Sequence, residues 1–388
     1  MYSLGDLFLL DPDVVYLNHG SFGACPKPVF ETYQQWQLEL ERQPVEFLGR
    51  RSTQLLADAR AALARYLKAA PDEVVYFTNP TTAINMVARS MDLKPGDEIL
   101  TTNHEYGAMD RTWRFICSRT RARYIHTSTQ LPVSNPEDFV EQFWEGVNKH
   151  TRAIFISHIT SPTALILPVE SICQKARQQG LLCIVDGAHA PGQIPVDLPA
   201  LGADIYTGAC HKWLMSPKGA AFLYARKEIQ KMLSPLVVSW GYESEFPSES
   251  QFIDYHEWQG TRDLAAFLSV PAAIEFQEKY NWAEVRQECH RLAVITNARI
   301  NSLTGLPSIS SNLSTHASIS YTWFQQMFSA SLPDWIDPIK FKTRLYAEFR
   351  IEVPILSWNN QIYIRVSIQG YNTFEDINAL LTALQELL

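Results

Sequence analysis

The stretch Leu181–Leu214, LLCIVDGAHAPGQIPVDLPALGADIYTGACHKWL, constrains this chain most. An apolar run from Leu181 to Val185 meets Asp186 and turns at Gly187. Read as a buried strand, it places a carboxylate at its C-terminal tip, where open α/β sheets bind ligands. The stretch ends near Lys212, set between His211 and Trp213. A lysine among apolar residues loses its proton readily and becomes a nucleophile toward carbonyls. Together the two residues point to pyridoxal phosphate. Lys212 would hold the cofactor as a Schiff base, and Asp186 would keep the ring nitrogen protonated. Each residue alone has a plainer reading. Asp after a strand is often a helix cap, and a Lys beside Trp often lays its stem over the ring.

The surrounding chain alternates strand and helix. From Val29 to about Lys68 the pattern is helical, interrupted near Pro44. Val74–Phe77 reads as a strand, followed by a polar turn at 78–82 and a helix from Ala83 to Met91. A strand, turn and helix start present free N–H groups and a positive dipole end to a phosphate. The hydroxyls of Thr81 and Thr82 could add bonds, although Thr is also an ordinary cap. Further strands are expected at Asp97–Thr102, Ala153–His158, 181–186, Ala203–Thr207 and Ala220–Tyr224, with a helix over 168–180 stopping at Gly180. This alternation implies parallel βαβ units in one wound sheet. No G-x-G-x-x-G follows a strand, so a dinucleotide is not favoured.

After residue 226 the pattern changes. Val237 to Gly260 reads as a long functional loop. Helices are expected at Asp263–Tyr280, Trp282–Leu303 and Pro338–Arg350, with strands at Ala317–Phe324 and Ile362–Ser367. Thr373–Asp376 is a capping-box-like start for a last helix. Arg365 lies in an apolar strand, which is costly unless a fixed anion pairs with it. Its planar fork suits an amino-acid carboxylate, and a structural ion pair is the other reading.

With those residues in view, D-G-A-H at 186–189 and T-G-x-x-H-K-W at 207–213 resemble the class V aminotransferase family of pyridoxal-phosphate enzymes. The isopenicillin N epimerase-like branch is the nearest in look, through Y-L-N-H-G-S-F-G at 16–23, H-E-Y-G-A at 104–108 and R-V-S at 365–367. The resemblance runs from about residue 14 to the C-terminus. It implies an α/β fold of type I, the PLP-dependent transferase fold: a mainly parallel wound sheet in a large domain plus a smaller α+β C-terminal domain. Residues 1–28 would pack on the active site, 29–262 would form the large domain, and 263–388 the linking helices and small domain. It further implies Thr81 and Thr82 near the cofactor phosphate, Tyr106 stacked on the ring, and His189 bonded to its phenolic oxygen; His211, next to the lysine, reads as a neighbour of the phosphate, as a residue orienting the loop, or as packing. Asn18, His19 and Arg365 would contact the substrate. Thr261, after Gly260, would reach the phosphate held by the partner subunit, so a homodimer with shared active sites is expected.

The net charge of −8 argues against nucleic-acid or anionic-membrane partners. Arg119, Arg121 and Arg123 read as a local solvated cluster. The six cysteines show no C-x-x-C pairing and read as reduced thiols, with neither a disulfide frame nor a metal site. The N-terminus does not look like a signal peptide, and no apolar run approaches the roughly 18 residues of a membrane span. A cytoplasmic protein is expected.

These residues lead as far as breaking a bond at Cα of an amino acid, with Lys212 as base. Reprotonation from the other face makes an epimerase or racemase and needs a second acid, for which Tyr106, His104 and His19 are candidates. Loss of a substituent makes a C–S lyase, and protonation at the cofactor makes an aminotransferase. A cofactor-binding protein without turnover is a further possibility. In the cysteine desulfurases that share the resemblance, a mobile cysteine lies in the loop soon after the matching arginine; here that loop, Val366–Asn372, holds no cysteine, so the resemblance argues against a persulfide-forming desulfurase.

Overall fold

The computed structural model describes residues 4–310 and 321–388. Its centre is a seven-stranded sheet of β1 (Val74–Phe77), β2 (Glu98–Thr102), β3 (Arg123–Thr127), β4 (Thr151–Ser157), β5 (Leu182–Asp186), β6 (Ile205–Ala209) and β7 (Ala221–Ala225), in spatial order β1-β7-β6-β5-β4-β2-β3. β7 runs antiparallel to β1 and β6, and every other pairing is parallel. The expected mainly parallel wound sheet is therefore present, and β5 is its middle strand.

Period-two alternation divides each strand between two apolar layers. Val75, Phe77, Ala153, Phe155 and Ile184 join one core with helices α1 (Pro80–Ser90) and α2 (Gly107–Thr120). Val74, Tyr76, Ile154, Ile156, Cys183 and Val185 join the core on the other face. Burial on both faces is why these strands read as unbroken apolar runs.

A three-stranded antiparallel sheet of β8 (Met327–Leu332), β9 (Ile355–Trp358) and β10 (Gln361–Ser367) follows, ordered β9-β10-β8. Alternation along β10 has a functional consequence. Ile362, Ile364 and Val366 enter the apolar cluster of this sheet with α3 (Trp282–Thr304) and α4 (Phe374–Leu387). Tyr363 instead joins the core of the large sheet, and Arg365 shares that side.

Several elements differ from the sequence reading. Residues 14–28, whose Gly20, Gly23, Pro26 and Pro28 favour an irregular segment, contain a one-turn helix, His19–Phe22, stopped at Gly23 with φ +72°. The expected long loop at 237–260 includes the helix Gln251–His256, capped by Ser250 through the Ile253 N–H. The helix expected over 263–280 is broken into Ala265–Leu268 and Val270–Lys279, because Pro271 has no N–H to donate. The strand expected at Ala317–Phe324 falls partly on residues outside the described set. Its described part, 321–324, is not a strand, and the ladder starts at Met327. Arg119, Arg121 and Arg123 are exposed, as the solvated reading expected, and Arg123 on the edge strand β3 also pairs with Glu98.

The capping box is formed: Thr373 Oγ1 accepts the Asp376 N–H at 3.4 Å, and Asp376 Oδ2 accepts the Thr373 N–H at 2.9 Å. Thr373→Ala is expected to weaken the first turn of α4 by about 1 kcal/mol. Hydrogen exchange of the amides of 374–377 measures it, and unchanged protection would show that the cap contributes nothing.

Candidate active site

The carboxyl ends of β4 and β5 and the N-terminus of α1 face one cavity. Lining it are Lys212, Asp186, His189, Tyr106, Thr81 and His211, all named from sequence. Asn79, Ser157, Ser21, Phe22 and Ser161 complete the parts of the wall that matter below.

Asp186 ends β5 and is buried. One oxygen accepts the Ala188 N–H at 2.9 Å, and among the described residues no cation pairs with the carboxylate. Burial raises its pKa, against the opposing pull of that N–H and of Lys212. Such a group needs a positive partner. The turn after it is possible only because residue 187 is glycine: a Cβ there would lie 2.0 Å from the Tyr206 ring.

Lys212 Nζ lies 3.2 Å from His189 Nε2. Burial lowers the pKa of Lys212 to about 8; Asp186 opposes the shift and Arg365 adds to it. Burial, with the nearby charges of Lys212 and Arg365, holds the His189 pKa far below its usual value, so the ring is uncharged at neutral pH.

At the other end of the cavity Asn79 caps α1, accepting the Thr82 N–H at 2.8 Å and the Thr82 hydroxyl at 3.0 Å. Thr82 is thus engaged within the turn and does not line the cavity, whereas Thr81 does. A first-turn N–H without a helical partner suits an anion; since Pro80 has no N–H and the Thr82 N–H is capped, that donor in α1 is the Thr81 N–H. His211 Nδ1 is bonded to the Ala220 carbonyl at 3.0 Å.

Arg365 is buried and, among the described residues, has no carboxylate partner. The ion-pair reading is therefore absent from this structure. Its Nη1 donates to the Ser161 carbonyl at 2.7 Å and its Nη2 to Ser21 Oγ at 3.0 Å. Its Nε is buried without a partner. Both serines lie on the cavity wall. Ser21 donates onward to Asn18 Oδ1 at 2.5 Å, and Asn18 Nδ2 donates to Glu352 at 2.9 Å.

Asn18 and His19 consequently stand behind the cavity. His19 bonds the Lys212 carbonyl at 3.0 Å through Nε2 and the Tyr371 hydroxyl at 3.0 Å through Nδ1. Ser21 and Phe22 supply the lining from that segment. Gly23 lets the segment approach, since a Cβ there would sit 2.0 Å from the His211 carbonyl oxygen. His104 is also buried away from the lining, with Nδ1 2.7 Å from Thr163 Oγ1 and its ring 4.1 Å from that of Trp358. Thr261 is exposed and outside the cavity.

Sequence reasoning missed Ser21, Asn79, Ser157, Ser161 and Glu105. Glu105 is buried and takes hydrogen bonds from Thr102 at 2.7 Å and Ser157 at 2.6 Å. Burial, despite those bonds, raises its pKa to about 7. Its place within H-E-Y-G-A was a signal that could have found it. The serines carried none.

These groups fit pyridoxal phosphate: an unpaired buried carboxylate for a protonated ring nitrogen, an amine of lowered pKa, a helix N-terminus for the phosphate and a buried guanidinium for a carboxylate. The chain matches the model of the family described as aminotransferase class-V over residues 15–380. It is 37% identical to isopenicillin N epimerase of Amycolatopsis lactamdurans, covering 97% of this chain and 96% of that protein. A protein named probable L-cysteine desulfhydrase, chloroplastic, of Arabidopsis thaliana is 28% identical over 97% of this chain and 83% of its own. Among solved structures, the cystine C–S lyase C-DES in complex with its product cysteine persulfide superposes with a TM-score of 0.82 at 21% identity, covering 97% of this chain and 98% of that one. That likeness gives the fold, the type I fold of PLP-dependent transferases.

Lys212 is neutral above its pKa and protonated below it. The rate at which the cofactor-free chain captures an added aldehyde is therefore expected to rise with pH through about 8. A midpoint near the ordinary lysine value, followed by absorbance, would remove the burial effect assigned here.

Proposed function

This chain belongs to the aminotransferase class V family and works with pyridoxal phosphate, and from that premise we propose that it is an amino-acid epimerase or racemase acting at Cα. The observation carrying this reading is the shared cavity of Lys212, Asp186 and Tyr106, backed by Arg365. When bound, pyridoxal phosphate supplies an aldehyde for the substrate amine and a ring that takes up the electrons released at Cα. Lys212 would hold that aldehyde, Asp186 would face the ring nitrogen, and Thr81 with the first turn of α1 would hold the phosphate. Arg365 would take the substrate carboxylate, with Ser21 and Ser161 fixing the guanidinium plane.

Lys212 then has a second task. Its amine, uncharged near neutral pH more readily than an ordinary lysine, takes the Cα proton. Epimerisation needs another proton delivered from the other face. Of the three candidates, Tyr106 alone lines the cavity. Burial lowers the pKa of His104 and of His19 to about 3, leaving both uncharged and bonded elsewhere. Tyr106 is thus the second proton carrier in this reading, and the net reaction inverts Cα without changing composition.

The alternative is a C–S lyase on a cysteine conjugate or cysteine sulfoxide, supported by the relative named a cysteine desulfhydrase and by the fold shared with C-DES. Both readings use the same Lys212, Asp186 and Arg365. A homodimer accompanies either one. Thr261 is exposed and available to a partner's site, and Trp240 and Phe246 are 86% and 89% exposed on the 237–250 segment. No described helix is long and apolar enough to cross a membrane. The six free cysteines fit a reducing cytoplasm.

The test is a borohydride-reducible visible band, with the label recovered on Lys212, followed by a screen of L- and D-amino acids and cysteine conjugates in deuterated water. Inversion with deuterium at Cα and no keto acid supports the epimerase. Pyruvate with ammonia and a sulfur product replaces it with the lyase. Tyr106→Phe is expected to retain exchange of the Cα proton while losing inversion at least a hundredfold, in the range of a lost general acid. Equal loss of both would remove Tyr106 from that role. Lys212→Ala is expected to lose the reducible band and both reactions.

A further inference from the structure

The residue after the lysine carries a hydrogen bond that the mechanism above does not use. Trp213 is fully buried. Its indole N–H, which can only donate, lies 3.4 Å from His189 Nδ1. The residue is held on two sides. Gln277 Nε2 donates to its carbonyl at 3.0 Å, and the His19 ring centroid lies 4.9 Å from its own. The second nitrogen of His189, Nε2, lies 3.2 Å from Lys212 Nζ. Gln193 Nε2 donates to the His189 carbonyl at 2.9 Å, which anchors the backbone of the ring.

An uncharged imidazole has one proton and one acceptor nitrogen. The donor at Nδ1 makes that nitrogen the acceptor, so the proton belongs on Nε2. We propose that Trp213 is a positioning residue that holds His189 as the Nε2–H tautomer, with the ring proton directed at the Lys212 amine. Once the cofactor is bound, His189 would meet its phenolic oxygen as a donor. That last clause rests on the pyridoxal phosphate reading; the tautomer does not.

The arrangement couples to Lys212. An Nε2–H can donate to the lone pair of a neutral amine, but it cannot accept from an ammonium. The tautomer therefore favours the uncharged amine, in the same direction as burial. The other charged or titratable groups facing the pair are Asp186 at the end of β5, Arg365 on β10, His211 in the lysine loop and Tyr106 across the cavity. Asp186 opposes the effect and Arg365 reinforces it. With the indole N–H removed, Nδ1 is free to take the proton, Nε2 becomes an acceptor, and the ammonium gains a partner.

The deciding measurement is nitrogen NMR of the full-length, cofactor-free chain labelled with 15N-histidine, with the His189 signals assigned by their loss in His189→Gln. The expected wild-type pattern is a protonated Nε2 and an unprotonated Nδ1. Trp213→Phe keeps an aromatic ring without the donor and is expected to move population to the Nδ1–H form. It should also raise the midpoint for capture of added pyridoxal phosphate by about one pH unit, slowing capture below that midpoint about tenfold. A wild-type His189 protonated on Nδ1 overturns the proposal even if Trp213→Phe does not fold. A folded Trp213→Phe chain that keeps the pure Nε2–H form also overturns it. A chain that takes up no pyridoxal phosphate would instead sink the cofactor reading and leave the tautomer to be decided by the NMR alone.

Discussion

Burial of ionisable groups around one cavity is the constraint on which the rest of this structure turns. Asp186, His189 and Arg365 are buried, Lys212 is half-buried beside them, and among the described residues none of the four is closed into an ion pair. Unpaired charge in such a place costs free energy. The two wide apolar layers on either side of the sheet supply the stability that tolerates it. The cost also has a chemical use. It pushes Lys212 toward its free amine, keeps His189 uncharged, and leaves Asp186 and Arg365 to be satisfied by a ligand.

The cavity is closed by parts of the chain far apart in sequence. The 18–23 segment is pinned to the lysine loop by the His19 bond to the Lys212 carbonyl and by the close approach at Gly23. The same segment reaches β10 through Gly20, whose N–H donates to Ser367 Oγ at 3.1 Å, and through Ser21, which accepts from Arg365. The N-terminal segment thus ties the lysine to the arginine. It acts by fixing both ends of the site, with Asn18 and His19 as supports and Ser21 and Phe22 as the surface.

Much of the site was legible because its signals are local. An apolar run ending in Asp186, a strand-turn-helix at 74–91, and an arginine inside an apolar strand each show their chemistry within a few residues. Where the reading differed, the deciding contact was one that residue pattern does not carry, whether near or far along the chain. Thr81 and Thr82 are alike in sequence, but the Asn79 cap takes one hydroxyl and leaves the other on the cavity wall. His19 and His104 looked equal to Tyr106 as proton carriers until the structure placed them behind the cavity, His19 bonded through both ring nitrogens and His104 through Nδ1. The helix expected over 263–280 is present but divided before Pro271, into Ala265–Leu268 and Val270–Lys279.

The sequence by itself determined the alternation of strands and helices, the wound sheet, and the residue types needed for pyridoxal phosphate chemistry. These follow from hydrophobic period, turn residues and intrinsic acidity, all properties of short stretches. Only the tertiary structure decided which oxygens hold Arg365, that His19 stands behind the lysine loop, and that the Trp213 N–H meets Nδ1 of His189. Those depend on distances of about 3 Å between residues separated by tens to hundreds of positions. Sequence pattern does not encode such distances, because many different packings satisfy the same periodicity.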